Sequence, residues 1–417
     1  MIKQMKLTGL TKIILLVACF LLTKPGLAQQ KNQKLLETGF NLAQQQYHHM
    51  LEVSRDLNKY PRTSAKDGSL RFVDIWDWTG GFWPGDLWYL YEYTKDTVWK
   101  QQSIKWTESL EKNKFNSSNH DLGFMMYCSY GNAYRLTGNE HYKDILIQSA
   151  KSLCKRYNPK VGSIESWNSR LSWDGKTMWH YPVIIDNMMN LELLFFASKV
   201  TGDPTYKDIA VKHAEQTMKN HIRSDYSTYH VVNYDTLSGK VLNRQTCQGY
   251  SDNSTWARGQ AWAIYGFTMV YRETKDLRFL NTAIHLADFY LKNKNLPEDK
   301  IPYWDFNVNE KGYRPDWKYD PSLYKLVPRD ASAAAIVSSA LLELSKYAGK
   351  KGKEYKMNAI QMLHSLSSPS YLAQTGTNNN FLIKHCTGSF PHGEEIDVPL
   401  VYADYYYLEA LLRLKDY

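Results

Sequence analysis

Cysteine is scarce in this 417-residue chain, five in all, and none stands in C-x-x-C or another metal-type spacing. No Gly-rich phosphate loop, nucleophile elbow or metal cluster occurs, and Gly80-Gly81 is a turn without phosphate-loop spacing. No cofactor and no metal is therefore indicated. No run of Lys and Arg suggests a nucleic-acid partner, and after residue 22 no stretch is long and apolar enough to span a membrane. Linkers and low-complexity breaks are also missing from residues 29–417, so one domain is expected there.

The first residues read as an export signal. Lys3, Lys6 and Lys12 make a positive start, and Ile13 to Leu22 is an apolar run of ten, too short for a spanning helix. Gly26-Leu27-Ala28 offers the small residues of a cleavage site, so residues 1–28 are expected to be removed and the protein to act in the periplasm. A competing reading makes Cys19, after Leu16-Val17-Ala18, the lipidated residue of a lipoprotein. It leaves an unusually short apolar run, and cleavage after Ala28 is preferred. The signal holds four lysines and no acid, so its loss takes the formal charge from +9 to +5. A mildly positive protein suits an anionic partner. Cys128, Cys154, Cys247 and Cys386 remain. Disulfides can form after export, but Cys128 and Cys154 lie in apolar helical stretches and read equally as buried thiols.

What the chain does have is aromatic side chains, 14% of residues with 13 Trp and 31 Tyr, and an internal repeat. Aromatic faces stack on sugar rings and also fill cores. Tyr134-Arg-Leu-Thr-Gly-Asn-Glu-His-Tyr-Lys-Asp-Ile resembles Ser198-Lys-Val-Thr-Gly-Asp-Pro-Thr-Tyr-Lys-Asp-Ile, with shorter echoes at Tyr93, Glu273 and Tyr347. Apolar helical stretches flank each copy. Thr-Gly-Asn/Asp is a helix stop followed by a turn, because Gly and Asn tolerate positive φ. The turns fall at 94, 137, 201, 274 and 348, too irregularly for an open solenoid. Long inserts near 155–182, 221–257 and 293–329 lack helical periodicity. Five or six hairpins with long loops on one side predict an all-α closed toroid whose loop rim forms a cleft.

Polar and aromatic residues crowd the starts of otherwise apolar helices. Asp74-Ile-Trp-Asp-Trp-Thr-Gly-Gly-Phe-Trp83 offers a sugar-stacking platform at Trp83, or a packed cap. Asp121 in His120-Asp-Leu-Gly-Phe stands where a helix begins, as a simple N-cap would. Asp186 follows Val-Ile-Ile and precedes an apolar helix. Desolvation there would raise its pKa, as a general acid requires, while capping is the plain alternative. Arg258 and Trp262 share one helix face in Trp256-Ala-Arg-Gly-Gln-Ala-Trp. They pair a fork for a carboxylate with a stacking face, unless Arg258 is a structural partner of a local acid such as Asp252. Pro328-Arg-Asp330-Ala-Ser and Tyr402-Ala-Asp-Tyr-Tyr open two further helices, where capping by Asp330 and core packing by the tyrosines are the plain readings.

Taken with Gly81-Phe-Trp-Pro-Gly and Ile185-Asp-Asn, these segments make the chain resemble the unsaturated glucuronyl hydrolases, glycoside hydrolase family 88, over nearly all of its mature length. The resemblance implies an (α/α)6 barrel. It implies a hydrolase that releases the 4,5-unsaturated uronic acid from the non-reducing end of lyase-generated oligosaccharides, here glycosaminoglycan disaccharides. Asp186 would be the general acid and base, and Asp121 a second essential acid that holds sugar hydroxyls. His230, Gln248, Arg258 and Trp262 would touch substrate, with Trp83 as an aromatic wall. Lys384, His385, Thr387 and Ser389 could receive a sulfate. The partner would be an anionic disaccharide, and the protein a monomer or weak homo-oligomer. The alternatives are an unsaturated rhamnogalacturonyl hydrolase acting on pectin fragments and a non-catalytic sugar-binding toroid.

Overall fold

The repeated Thr-Gly-Asn/Asp element does two jobs in one turn. In four copies the threonine hydroxyl (Thr94, Thr137, Thr201 and Thr274) donates to the carbonyl four residues back, at 2.6–2.7 Å, and closes the last turn of its helix. The next residue adopts the left-handed conformation: Gly138 and Gly202 in two copies, Lys95 and Lys275 in the others. The third residue, Asp96, Asn139, Asp203 or Asp276, accepts from the backbone two positions on and caps the following helix. A fifth left-handed residue, Gly349, lies at the fifth expected turn.

The computed structural model describes residues 27–315, 317–318, 320, 322 and 325–415. The export signal and the rival Cys19 anchor fall almost wholly on residues 1–26, outside the described residues. The helices are α1 (Leu27–Val53), α2 (Phe82–Thr94), α3 (Thr97–Glu108), α4, α5 (Glu140–Cys154), α6 (Leu191–Thr201), α7 (Pro204–Asn220), α8 (Ala257–Thr274), α9 (Leu277–Lys292), α10 (Ala331–Ser345), α11 (Gly352–Leu366) and α12 (Val401–Lys415). Three pieces, Leu122–Met126, a π turn at Tyr127–Gly131 and Asn132–Thr137, run on as α4. A 3-10 turn, Ile185–Asn190, leads into α6.

The even-numbered helices form the inner ring. They pack in order, α2 on α4, α6, α8, α10 and α12, and α12 closes back onto α2. Their burial is continuous: every residue of Ala257–Val270 and of Ala331–Leu344 is buried. Helices apolar all round belong inside, and the odd-numbered helices wrap them with one face only. In α9 that face is Phe279, Leu280, Ala283, Leu286, Ala287 and Tyr290. The molecule is an (α/α)6 barrel, as the hairpin repeat and the family resemblance both implied, with one apolar core running from Leu35 to Leu414.

Of the three long inserts, those near 155–182 and 221–257 carry short antiparallel strands, that near 293–329 has none among the described residues, and two further hairpins lie outside them. In chain order the hairpins begin with β1 (Tyr60–Ser64) with β2 (Leu70–Val73), β3 (Tyr157–Asn158) with β4 (Ser163–Ile164), and β5 (Arg170–Leu171) with β6 (Met178–Trp179). A three-stranded sheet follows from β7 (Pro182–Ile184), β8 (Val231–Tyr234) and β9 (Val241–Gln245). Last comes β10 (Cys386–Ser389) with β11 (Glu394–Val398). Cys128, Cys154, Cys247 and Cys386 are all free thiols, and only Cys154 is not fully buried.

In two of the repeat turns lysine stands where glycine is favoured, with φ of 61° at Lys95 and 59° at Lys275. A side chain in the left-handed region costs about 1 kcal/mol. Lys95→Gly and Lys275→Gly should each stabilise by about 0.5–1 kcal/mol, and Gly138→Ala should destabilise by about as much, read from urea midpoints.

Candidate active site

The inner helices present their N-terminal ends to one cleft of about 270 Å³. Trp78 ahead of α2, Asp121 ahead of α4, Asp186 in the turn entering α6, Arg258 in the first turn of α8 and Tyr402 in the first turn of α12 line it. Asp330, the N-cap of α10, stands behind Arg258. Helix N-termini carry partial positive charge and unpaired N–H groups, so this rim favours an anion.

Asp186 is placed by sheet pairing. Ile184 on β7 faces Val231 on β8, and the Ile185 N–H donates to the His230 carbonyl at 3.0 Å. The Asp186 carboxyl is only 13% exposed, and its Oδ2 makes no hydrogen bond. Burial pushes its pKa up to about 7; the charge of Arg258 and the indole N–H of Trp262 oppose the rise without cancelling it. The side chain caps nothing, so the capping alternative does not hold.

His230 faces that free oxygen, with Nε2 at 3.6 Å from Oδ2. Its Nδ1 accepts from the backbone N–H groups of Cys247 and Gln248, at 3.1 and 3.2 Å. Two donors on Nδ1 fix the tautomer, so Nε2 carries the proton. Burial holds the ring neutral, well below the usual histidine range.

Asp121 repeats this arrangement. It occupies an N-cap position, yet its side chain makes no cap hydrogen bond. Its pKa is raised well above the carboxylate range by burial first, then by the charges of Asp186 and Asp77. His120 Nε2 lies 3.3 Å from Asp121 Oδ1. The Phe124 N–H donates to Asn190 Oδ1 at 2.9 Å, which turns the Asn190 amide nitrogen toward His120 Nδ1 at 3.3 Å. That pairing again leaves the proton on Nε2. Each buried acid therefore stands 3.3 or 3.6 Å from the protonated nitrogen of a buried neutral imidazole, with no hydrogen bond formed in either pair. Gly123 permits the approach of α4 to α6, since a Cβ there would stand 2.4 Å from Asn190 Cα.

Arg258 is paired, but not with Asp252. Its guanidinium, 1% exposed, donates to Asp330 at 2.8 Å and to the carbonyls of Thr387 and Gly388, between the rings of Trp256 and Tyr402. Asp252 instead accepts from the Thr246 N–H. Gln248 joins the cleft wall and donates to the Gly388 carbonyl at 3.1 Å.

Four expected substrate contacts do not line the cleft: His230 stands behind Asp186, Trp262 is wholly buried against Phe124 and Tyr406 and offers no stacking face, and Trp83 and His385 lie elsewhere. Trp83 is buried between Tyr47 and Trp106, behind the cleft; two residues past the N-cap Gly81, it points into the core. The aromatic walls are Trp78 and Trp167. His385 pairs with Asp397 at 2.6 Å and lies off the cleft lining, because its left-handed backbone turns the ring toward β11. Lys384 donates to the Pro369 carbonyl and Thr387 to the Arg329 carbonyl, so of the four sulfate candidates only Ser389 reaches the cleft. His392 and Arg170 line its mouth. Arg62, held by Asp77 and Glu395, lines it from β1. No motif marked these three, since each reaches the cleft through loop or hairpin geometry.

A larger cavity, about 660 Å³, opens at the opposite ends of the inner helices. Its central acid, Glu409, already accepts from Tyr89, Tyr265 and Ser339, and its Arg135 from the wall pairs with Glu92. The unpartnered acid lies in the smaller cleft.

Comparison with known proteins bears on that cleft. The Glycosyl Hydrolase Family 88 profile matches residues 51–283. An unsaturated glucuronyl hydrolase of Formosa agariphila is 44% identical over 98% of this chain and 96% of its own length. An unsaturated chondroitin disaccharide hydrolase of Streptococcus agalactiae is 34% identical over 86% of this chain and 87% of its own. The crystal structure of an unsaturated glucuronyl hydrolase specific for heparin superposes with a TM-score of 0.84, at 45% identity, covering 92% of this chain and 97% of that one. The barrel, the two buried acids at its N-terminal rim and these likenesses lead to one statement: the chain belongs to glycosyl hydrolase family 88 and is a glycoside hydrolase.

Proposed function

We propose that this enzyme releases the 4,5-unsaturated uronic acid from the non-reducing end of lyase-generated glycosaminoglycan disaccharides, with Asp186 as its acid and base. The observation that carries the reading is a single carboxyl, raised to about 7 by burial, facing the cleft with one oxygen unpaired. An acid near neutrality can both give and take a proton at working pH. The names of the relatives, glucuronyl and chondroitin disaccharide hydrolases, favour glycosaminoglycan fragments over pectin.

The substrate's C4=C5 bond is conjugated to the ring oxygen as a vinyl ether. Asp186 gives its proton to C4. Positive charge forms at C5 and spreads onto the ring oxygen. The carboxylate left behind takes a proton from water as that water's oxygen bonds to C5. The C5 hemiketal opens to a ketone, and the C1 hemiacetal so exposed expels the neighbouring sugar. His230 Nε2–H and the Trp262 indole N–H steady Asp186 while it is ionised, and Arg258 adds a fixed positive charge. Asp121, kept neutral beside His120, donates to a sugar hydroxyl as well as accepting from one. Export through residues 1–28 would bring the enzyme to periplasmic lyase products.

Turnover is followed as loss of the C4=C5 ultraviolet absorbance on unsaturated disaccharides from chondroitin, hyaluronan, heparin and pectin. Glucuronyl disaccharides should lose it. A folded enzyme that consumed only the pectin fragment, or none, would refute the reading. Asp186→Asn should lower kcat at least about 100-fold while a disaccharide still binds by calorimetry. Because only protonated Asp186 starts the reaction, kcat/KM should be level below its pKa and fall about tenfold per unit as pH rises past about 7. Reaction in D2O should place one deuterium at C4 of the released product, read by mass and NMR.

A further inference from the structure

The cleft owes one wall to the strap 376–388, which crosses the N-terminal ends of α10 and α12 and whose last three residues are the start of β10. The carbonyls of Thr387 and Gly388 in this strap hold the guanidinium of Arg258, and Gly388 also holds Gln248. Its middle is fixed where Ala331 donates to the His385 carbonyl at 3.0 Å. Its near end is fixed by Gln46 of α1, which donates to the Thr377 and Phe381 carbonyls and accepts from the Gly376 N–H.

Between these lies Asp404, wholly buried in the first turn of α12. Its two carboxyl oxygens accept separately from successive amides of the strap, Leu382 at 2.8 Å and Ile383 at 2.9 Å. Oδ2 also accepts from Tyr47 of α1 at 3.2 Å. A carboxylate bound to two adjacent N–H groups fixes both the position and the direction of a strand. Asp404 stands two residues from Tyr402, whose ring lies against Arg258, so one helix turn carries both the anchor and the cleft wall.

We propose that Asp404 is a positioning residue for catalysis: by clamping the Leu382 and Ile383 amides it sets the strap whose Thr387 and Gly388 carbonyls hold Arg258 at the distance that governs Asp186. This rests on the reading of Asp186 as the acid. The clamp has a second member. Asp86 of α2 is wholly buried, and neither of its oxygens has a hydrogen-bond partner. Two buried carboxyls beside one tyrosine do not both ionise. Burial pushes the Asp404 pKa up to about 7 against the pull of its two amides and Tyr47, so Asp404 ionises before Asp86, which keeps the proton. Burial and the charge of Asp404 hold Asp86 well above the carboxylate range. The groups facing the pair are Tyr47 from α1, Cys128 from α4, Tyr407 from α12, Cys386 from β10 and the strap amides; among the described residues no cation pairs with either acid.

The test compares Asp404→Asn, Asp404→Ala and Tyr47→Phe with the full-length enzyme, using a glucuronyl disaccharide that the unaltered enzyme consumes. Asparagine keeps the size but can accept at only one face, and Tyr47→Phe removes one donor and leaves the amides clamped. In the Asp404 variants kcat should fall about 10- to 100-fold with KM changed much less, since no cleft residue is replaced and a strap shifted by a fraction of an ångström chiefly moves the charge of Arg258 relative to Asp186. The alkaline limb of kcat/KM should move upward, because a retreating Arg258 no longer holds the Asp186 pKa down. Amide exchange should quicken in 382–388 and not in the inner helices. Tyr47→Phe should show the same upward shift, smaller, and it serves alone if the Asp404 variants do not fold. Loss of activity with the alkaline limb and the 382–388 exchange unchanged would overturn the proposal and leave Asp404 a stabilising residue only. Inactivity of the unaltered enzyme toward every glucuronyl disaccharide would instead refute the function on which it rests.

Discussion

The site depends on keeping one carboxyl group dry at the mouth of a ring of helices. Asp186 enters its helix after the buried segment Val183-Ile184-Ile185, faces a histidine that cannot take a second proton, and keeps one oxygen unpaired. Its ionised form lacks both water and a direct salt bridge, so its pKa lies near neutrality. Arg258 limits the rise. Asp330 and two backbone carbonyls already occupy that guanidinium, so it acts on Asp186 as a fixed charge at a set distance rather than as an ion-pair partner. A direct bridge would return the acid to the ordinary carboxylate range and end its usefulness as a proton donor.

The barrel supplies what such an environment needs. Six largely buried inner helices converge on one rim with their N-terminal ends, and the inserts before them are long enough to build walls. The threonine turns at the other rim are short and nearly identical, which leaves the ring regular there. Positions close to the axis demand small residues: a Cβ at Gly123 would collide with Asn190, the residue that sets His120 against Asp121. Packing and chemistry thus share residues, and the same asparagine that joins α4 to the turn before α6 also fixes a histidine tautomer.

The hairpin repeat and the helix-start clusters made both barrel and rim legible in the sequence, because turn chemistry and helix capping are local. Asp121 and Asp186 were visible as acids beside apolar helices, and the competing capping reading failed only against the observed side-chain directions. Arg258 was legible as an arginine on an aromatic face, but its partner, Asp330, lies 72 residues away and no local pattern joins them. Trp83 misled because every tryptophan of that segment carries the same signal, and a single helical turn decides whether it meets the core or the cleft. His385 misled because a left-handed backbone at one residue redirects its ring. Arg62, Arg170 and His392 were not legible at all, since long-range hairpin placement brings them to the mouth.

The most direct check on this account is the titration of Asp186 itself, followed as the difference in carboxyl infrared absorbance between the unaltered protein and Asp186→Asn across pH 3–9. One carboxyl titrating near 7 is the predicted result. A difference spectrum that titrates near the ordinary carboxylate value of about 4 would contradict it, since a group already ionised at neutral pH has no proton to give to the substrate.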